Sequence, residues 1–86
     1  MGRTELGIQE GDYISLRDIA RIVRRARSEQ GLSENQAAQA LGVHVHSVKQ
    51  AEGQPHRDLL RLRRRILERF TGYTLDGPYY QIRRKA

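Results

Sequence analysis

The sequence predicts an all-α domain of four to five short helices, with a possible short extended tail at the C-terminus. Apolar residues recur at spacings of three and four residues in several separate stretches, which is the period of a helix with one buried face. Serine residues stand where helices would begin, and glycine or proline residues interrupt the stretches. The chain has 86 residues, so we expect one domain, 1–86, with a small core.

The charge of the chain is unevenly distributed. Residues 1–53 carry seven Lys or Arg and seven Asp or Glu, whereas residues 54–86 carry nine and three, which accounts for the whole net charge of +6. A basic flank is typical of proteins that bind a polyanion, and equally of a solvated surface. The chain has no cysteine, which excludes disulfides and thiolate metal ligands. No apolar run approaches the roughly 18 residues of a membrane span, so a cytoplasmic protein is expected.

The first predicted helix begins after Ser15 and ends at Gly31. Ser15 can cap the helix start, and Asp18 favours it because a carboxylate offsets the positive end of the helix dipole. Residues 1–11 are expected to form a flexible arm or a short irregular lead-in, and residues 12–16 a brief extended piece. The predicted buried stripe is Leu16, Ile19, Ala20, Val23 and Ala26. The remaining surface is expected to carry Arg17, Arg21, Arg24, Arg25 and Arg27.

A short helix is predicted over the first half of the stretch 33–52. Ser33 and Gln36 have the spacing of a capping box, in which each side chain bonds the other residue's backbone N–H. Gly42 follows Leu41 where a helix can end in the left-handed conformation that glycine adopts without strain. The alanines of this helix are small enough to let another helix cross it closely.

A second short helix is predicted to begin near His44 or Val45. Val48 and Ala51 would face inward at helical spacing. The residues expected to face outward are His46, Lys49 and Gln50. Two short helices joined by a tight turn form a helix-turn-helix, whose second helix can enter the major groove of DNA.

A fourth helix is predicted after the break at Gly53-Gln54-Pro55, because proline restricts the residue before it. It should start near His56–Asp58 and end before Gly72. Its expected apolar face is Leu59, Leu60, Leu62, Ile66, Leu67 and Phe70. Its other side is expected to carry Arg57, Arg61, Arg63, Arg64, Arg65 and Arg69.

The tail, about 70–86, combines a turn signal at Asp76-Gly77-Pro78 with residues of strand propensity. Four of the five aromatic residues lie between positions 70 and 80. Such a cluster either closes the core or forms an oligomer contact. We favour the contact, because a symmetric DNA-binding protein needs a dimer surface. The expected dimerisation residues are Phe70, Tyr73, Leu75, Tyr79, Tyr80 and Ile82.

The stretch Leu32–Glu52 resembles the helix-turn-helix of the Cro and phage-repressor type, the XRE-like family. The resemblance extends weakly from about Ile19 to Phe70. It rests on Gly31-Leu32-Ser33, Ala38, Leu41-Gly42-Val43, Val48 and Glu52. It implies a lambda-repressor-like helix-turn-helix domain and a dimeric DNA-binding regulator. Ala37, Ala51, Glu34 and Gly53 depart from the family pattern, and the tail has no counterpart in it.

The resemblance also implies which residues contact DNA. Gln50 could bond adenine, Lys49 could bond guanine or a phosphate, and Val45 could pack on a thymine methyl group. Backbone N–H groups near Ser33 and Asn35 lie at a helix N-terminus, which favours phosphate. The full set of expected DNA-binding residues is Ser33, Asn35, His44, Val45, His46, Ser47, Lys49, Gln50 and Arg57.

Catalytic and metal chemistry are not indicated, and no cofactor is expected. His44 and His46 would diverge on a helix at a spacing of two residues, and neither they nor His56 has a cluster of carboxylates nearby in sequence. No phosphate-binding glycine-rich loop, Ser-His-Asp set or HExxH pattern occurs.

The sequence therefore predicts a transcription regulator without enzymatic activity. Its expected form is a homodimeric repressor that binds a palindromic operator of double-stranded DNA through the helix starting near His44. A prokaryotic cytoplasmic setting, with nucleoid, plasmid or phage DNA, suits this size. One alternative is the antitoxin and autoregulator of a toxin–antitoxin pair, which would bind a protein partner through its tail. Another is a basic adaptor that binds RNA or protein, and membrane binding is not expected.

Overall fold

The computed structural model describes residues 7–76 and 81–85. Over these residues, four helices precede an antiparallel β-hairpin. The elements are α1 (Leu16–Glu29), α2 (Glu34–Leu41), α3 (Val45–Gly53), α4 (Leu60–Phe70), β1 (Tyr73–Asp76) and β2 (Gln81–Arg84). The prediction of a mainly helical chain is confirmed, and the possible extended tail takes the form of two strands, which an all-α class does not include. None of the described helices is long and apolar enough to cross a membrane.

The predicted caps set the helix boundaries. The Ser15 side chain accepts a hydrogen bond from the Asp18 N–H, at 3.2 Å, and starts α1. Ser33 and Gln36 form the predicted capping box of α2, with bonds of 3.1 and 2.8 Å. Gly42 ends α2 in the left-handed conformation, at φ 72°, where a residue with a Cβ atom would be strained.

The core lies where α1 packs against α3 and α4. Val48 and Ala51 of α3 are fully buried, as the helical spacing predicts. Ala37 and Ala38 of α2 are also buried, so the small side chains allow α2 and α3 to pack closely. The stripe predicted for α1 is confirmed except at its first position, where Leu16 is exposed.

The N-terminal segment is more ordered than the sequence suggests over the part that is described. Ile8 is buried in the core. The Gly11 N–H donates to the Ile82 carbonyl and the Ile82 N–H donates to the Asp12 carbonyl, both at 2.8 Å. Of the two expectations for this segment, the short irregular lead-in is the one found over residues 7–11, because Ile8 is buried and Gly11 bonds a strand far along the chain. Residues 1–6 lie outside the described part.

The tail closes the core of its own chain. In the hairpin, Leu75 is opposite Ile82, and both side chains are buried together with Phe70 and Tyr73. The expectation that these four residues form a dimer surface is therefore corrected: their atoms already contact their own protomer. Core closure, the alternative for this cluster, is the arrangement found. The remaining expected dimer residues, Tyr79 and Tyr80, lie outside the described residues.

The start of α4 also differs from the prediction. The helix begins at Leu60 instead of near His56–Asp58. Arg63 explains the later start, because the residue is only 1% exposed and its guanidinium donates hydrogen bonds to the carbonyls of Gln54 and Arg57. These carbonyls thus accept from a side chain instead of from the N–H groups of a helix. The expectation that Arg63 lies on the solvated side of α4 is wrong.

We expect Leu75→Ala to lower the free energy of unfolding by roughly 2–5 kcal/mol, because it leaves a cavity in the core. The loss should be the same at all protein concentrations, since a core contact needs no second chain. Urea unfolding over a wide range of protein concentration measures it. The exposed neighbour Asp76→Ala is the control and should change stability by less than about 0.5 kcal/mol. A loss that appears only at high protein concentration would restore the dimer interpretation.

Candidate nucleic-acid interface

Helix α3 has one buried face and one polar face. Val48 and Ala51 fix the buried face, while His46 and Lys49 are exposed on the opposite side and Gln50 is half-buried. No hydrogen bond joins the side chains of His46, Lys49 or Gln50 to other described residues. These three polar groups are therefore free to bond an external ligand.

The other residues expected at the start of α3 lie on the same surface with different degrees of exposure. His44 is exposed, Ser47 is half-buried, and Val45 is half-buried with its side chain packed against the core. The His44 ring caps the helix: its Nδ1 accepts a hydrogen bond from the His46 N–H at 3.0 Å. The two histidine rings are 6.5 Å apart and nearly perpendicular. His44 therefore orders the helix start, and its Nε2 is the ring nitrogen left for a ligand.

The N-terminus of α2 supplies backbone donors. The Ser33 hydroxyl and N–H are both engaged in the capping box. The N–H groups of Glu34 and Asn35 have no acceptor within the described part of the chain. Free N–H groups in the first turn of a helix favour a phosphate, although the Glu34 carboxylate opposes an anion there.

An ion pair fastens α3 to α1. The Arg27 guanidinium donates to both carboxylate oxygens of Glu52, at 2.6 and 3.0 Å, and also to the Leu32 carbonyl at 2.7 Å. The side chains are 14% and 4% exposed. Burial raises the pKa of Glu52, and the bonds from Arg27 oppose that rise. The hydrogen bond to Glu52 raises the pKa of Arg27, so the pair keeps its cation.

A shallow groove of about 220 Å³ lies beside this pair. It is lined by Arg24, Arg27, Glu34, Lys49, Glu52 and Gly53. Because Arg27 and Glu52 neutralise each other, Arg24 and Lys49 outweigh Glu34 in the remaining charge. The fold thus places Arg24 of α1 next to α2 and α3. The position of Arg24 in the sequence does not indicate this proximity.

The loop between α3 and α4 carries the last expected contact residue. Arg57 is exposed, and its side chain has no partner among the described residues. Its backbone is fixed, because its N–H donates to the Gln54 carbonyl and its carbonyl accepts from Leu59 N–H and Arg63. The loop therefore offers a cation on an ordered backbone.

Sequence reasoning missed the two buried arginines. Arg27 and Arg63 were both assigned to solvated surfaces. A signal was available, since Arg27 follows Ala20 and Val23 by seven and four residues, and Arg63 precedes Ile66 and Phe70 by three and seven. These spacings put both arginines on the apolar faces of their helices. Their partners come from α3 and from loops, and the sequence does not indicate which of these groups they meet.

No group of three or more potential metal ligands occurs among the described residues. His56 is exposed in the loop after α3, away from the ring pair of His44 and His46. The surface around α3 instead combines amide, imidazole and ammonium groups with backbone N–H donors. This combination can bond base edges and phosphate oxygens.

We expect Arg27→Met to lower the free energy of unfolding by roughly 3–5 kcal/mol at neutral pH, because Glu52 is left buried without its cation. Without Arg27, burial alone raises the folded-state pKa of Glu52 above the ordinary value of 4.5. A carboxyl group whose pKa is higher in the folded chain than in the unfolded chain stabilises the fold at pH values below its unfolded pKa. That stabilisation is lost as the pH rises through its folded pKa. The variant should therefore lose stability, relative to the native chain, as the pH rises above 4.5, the ordinary pKa of the carboxyl group.

Two controls accompany that measurement by urea unfolding. Arg27→Met combined with Glu52→Gln removes the carboxyl group and should abolish the added pH dependence. Arg21→Met breaks the exposed pair with Asp18 and should change stability by less than about 1 kcal/mol. Equal losses from Arg27→Met and Arg21→Met would contradict the role of the buried pair.

The candidate interface thus consists of the polar face of α3, the N-terminus of α2, Arg24 and the loop after α3. The chain matches no protein-family model, no curated protein and no solved structure.

Proposed function

We propose that this protein is a sequence-specific regulator of transcription that binds double-stranded DNA. In this proposal α3 enters the major groove, and the protein acts as a homodimeric repressor on a palindromic operator in a prokaryotic cytoplasm. We further propose that the four helices form a lambda-repressor-like helix-turn-helix domain. The observation on which the proposal depends is that α3 exposes His46 and Lys49 and leaves Gln50 half-buried, while its other face is anchored in the core. None of these three side chains is hydrogen-bonded to another described residue.

The chemistry of this face supports reading of bases. The Gln50 amide can donate to adenine N7 and accept from adenine N6, and Lys49 can donate to guanine O6 and N7. His46 can donate to or accept from a base edge, and Val45 can contact a thymine methyl group. Fixed side chains on a rigid helix discriminate between bases, because a mismatched partner is left unpaired.

The surroundings of α3 support binding to the phosphate backbone. The first N–H groups of α2, Arg24 and Arg57 lie outside the base-reading face and can contact phosphates. Such contacts supply affinity and orientation without reading sequence. The excess positive charge of residues 54–86 would attract DNA over a distance set by the salt concentration.

The homodimer follows from the size of a single reading helix. One helix of this type covers about half of a usual operator, and two-fold symmetry places two such helices roughly one DNA turn apart. Repression would result from occupying the operator and excluding the polymerase.

Selection of bound sequences from a random duplex pool tests the proposal. The native protein should enrich one sequence, and Gln50→Ala should lose the preference at one base pair, worth about 1–3 kcal/mol. Gln39→Ala removes the same amide from an exposed position on α2 and should leave the selected sequence unchanged. A pool without enrichment would contradict both the repressor and an antitoxin that reads DNA, and would favour the RNA- or protein-binding adaptor.

The selected sequence should be palindromic, with half-sites about one helical turn apart. Native mass spectrometry should then detect two protomers on each full site and one on an isolated half-site. A single protomer on the full site, bound with the affinity of the half-site, would contradict the homodimer while leaving sequence recognition intact.

A further inference from the structure

Arg63 has an unusual set of partners for a buried cation. Its Nε donates to the Ala51 carbonyl at 3.0 Å, Nη1 to the Arg57 carbonyl at 3.0 Å and Nη2 to the Gln54 carbonyl at 2.7 Å. No carboxylate of the described residues is within ion-pair distance of it. Burial lowers the pKa of Arg63, but a guanidinium stays charged in a protein.

The three carbonyls belong to the end of α3 and to the loop that follows. The Ala51 carbonyl would bond the N–H four residues later in a continuing helix, and that residue is Pro55, which has none. The carbonyl end of α3 also carries the negative end of the helix dipole. Arg63 thus supplies the missing donor. The three carbonyls stabilise its charge by direct hydrogen bonds, and the charge of Asp58 favours it from beyond ion-pair distance.

These bonds fix the backbone from which Arg57 projects. The Arg57 carbonyl is one of the three acceptors, and the Arg57 N–H donates to Gln54, whose carbonyl is another. The fork-shaped guanidinium, with donors in a fixed plane, can bond three separate points of one loop at once. The loop is therefore ordered from inside, while the Arg57 side chain is exposed to solvent.

We infer that Arg63 is a positioning residue that holds the loop after α3 so that Arg57 meets a DNA phosphate. The inference rests on the proposed function. The nine residues of α3 span about 13.5 Å at 1.5 Å per residue, and the major groove is about 12 Å wide. A helix that enters the groove by its N-terminal end therefore delivers the following loop to the phosphate backbone at the groove edge.

A double-mutant cycle tests the coupling between Arg63 and Arg57. Arg57→Ala should weaken binding to all duplexes by roughly tenfold and reduce the salt slope by about one. Arg63→Met should do the same without touching DNA, and the double variant should bind no more weakly than Arg57→Ala alone. Non-additive losses of this kind mark two changes that remove one contact.

Arg64→Met is the matched control. Arg64 is the next residue of α4, carries the same charge and donates a single hydrogen bond to the Leu75 carbonyl in the hairpin. Arg64→Met should change binding by less than about twofold, and its effect should multiply with that of Arg57→Ala. Binding is measured at a temperature at which circular dichroism shows every variant folded.

The outcomes separate the inference from the proposed function. Native protein that binds no duplex contradicts both. If the native protein binds duplex, two results contradict the inference alone. One is that the affinity losses from Arg63→Met and Arg57→Ala multiply, and the other is that Arg63→Met leaves the salt slope unchanged.

Hydrogen exchange of the native protein provides a test that needs no variant to fold. A loop ordered in advance should protect the Arg57 and Leu59 N–H groups in the free protein nearly as well as those at the end of α3. Fast exchange at these two groups in the free protein, slowed only by DNA, would overturn the inference, because the duplex would then be ordering the loop.

Discussion

A helix of nine residues does not persist by itself in water, so the proposed reading helix depends on what holds it. Within the described structure, α3 is held in three ways. Val48 and Ala51 bury its apolar face, the Arg27–Glu52 pair fastens it to α1, and Arg63 of α4 bonds its final turn. These contacts use one side and one end of the helix. The polar side and the N-terminal end remain for a ligand.

The two buried arginines stabilise their charges by different means. Arg27 has a carboxylate partner on α3, and each charge compensates the burial of the other. Arg63 donates to carbonyls at the end of α3 and in the loop after it, and the nearby charge of Asp58 also favours its cation. No carboxylate of the described residues is within ion-pair distance of the Arg63 guanidinium.

The two ends of the described chain close the side of the core away from α2. Residues 11–13 pair with β2, and β1 pairs with β2 on its other side. Ile8, Leu75 and Ile82 are buried where these segments meet the helices. Because Tyr73, Leu75 and Ile82 of the hairpin are buried in the core of their own chain, they do not supply the surface of a homodimer of the proposed kind. Tyr13, which is 67% exposed beside β2, is an apolar group available on that side.

Sequence alone determined the features that depend on neighbouring residues. The capping serines, the left-handed Gly42, the inward positions of Val48 and Ala51 and the start of α3 follow from spacings of up to four residues, and all are confirmed. Of the residues expected to face outward on α3, His46 and Lys49 are exposed and Gln50 is half-buried. Only tertiary structure decided the roles of Arg27, Arg63 and Ile82. Their partners lie 25, 12 and about 70 positions away along the chain, and no local period specifies which distant carbonyl, carboxylate or strand a side chain or backbone group will meet.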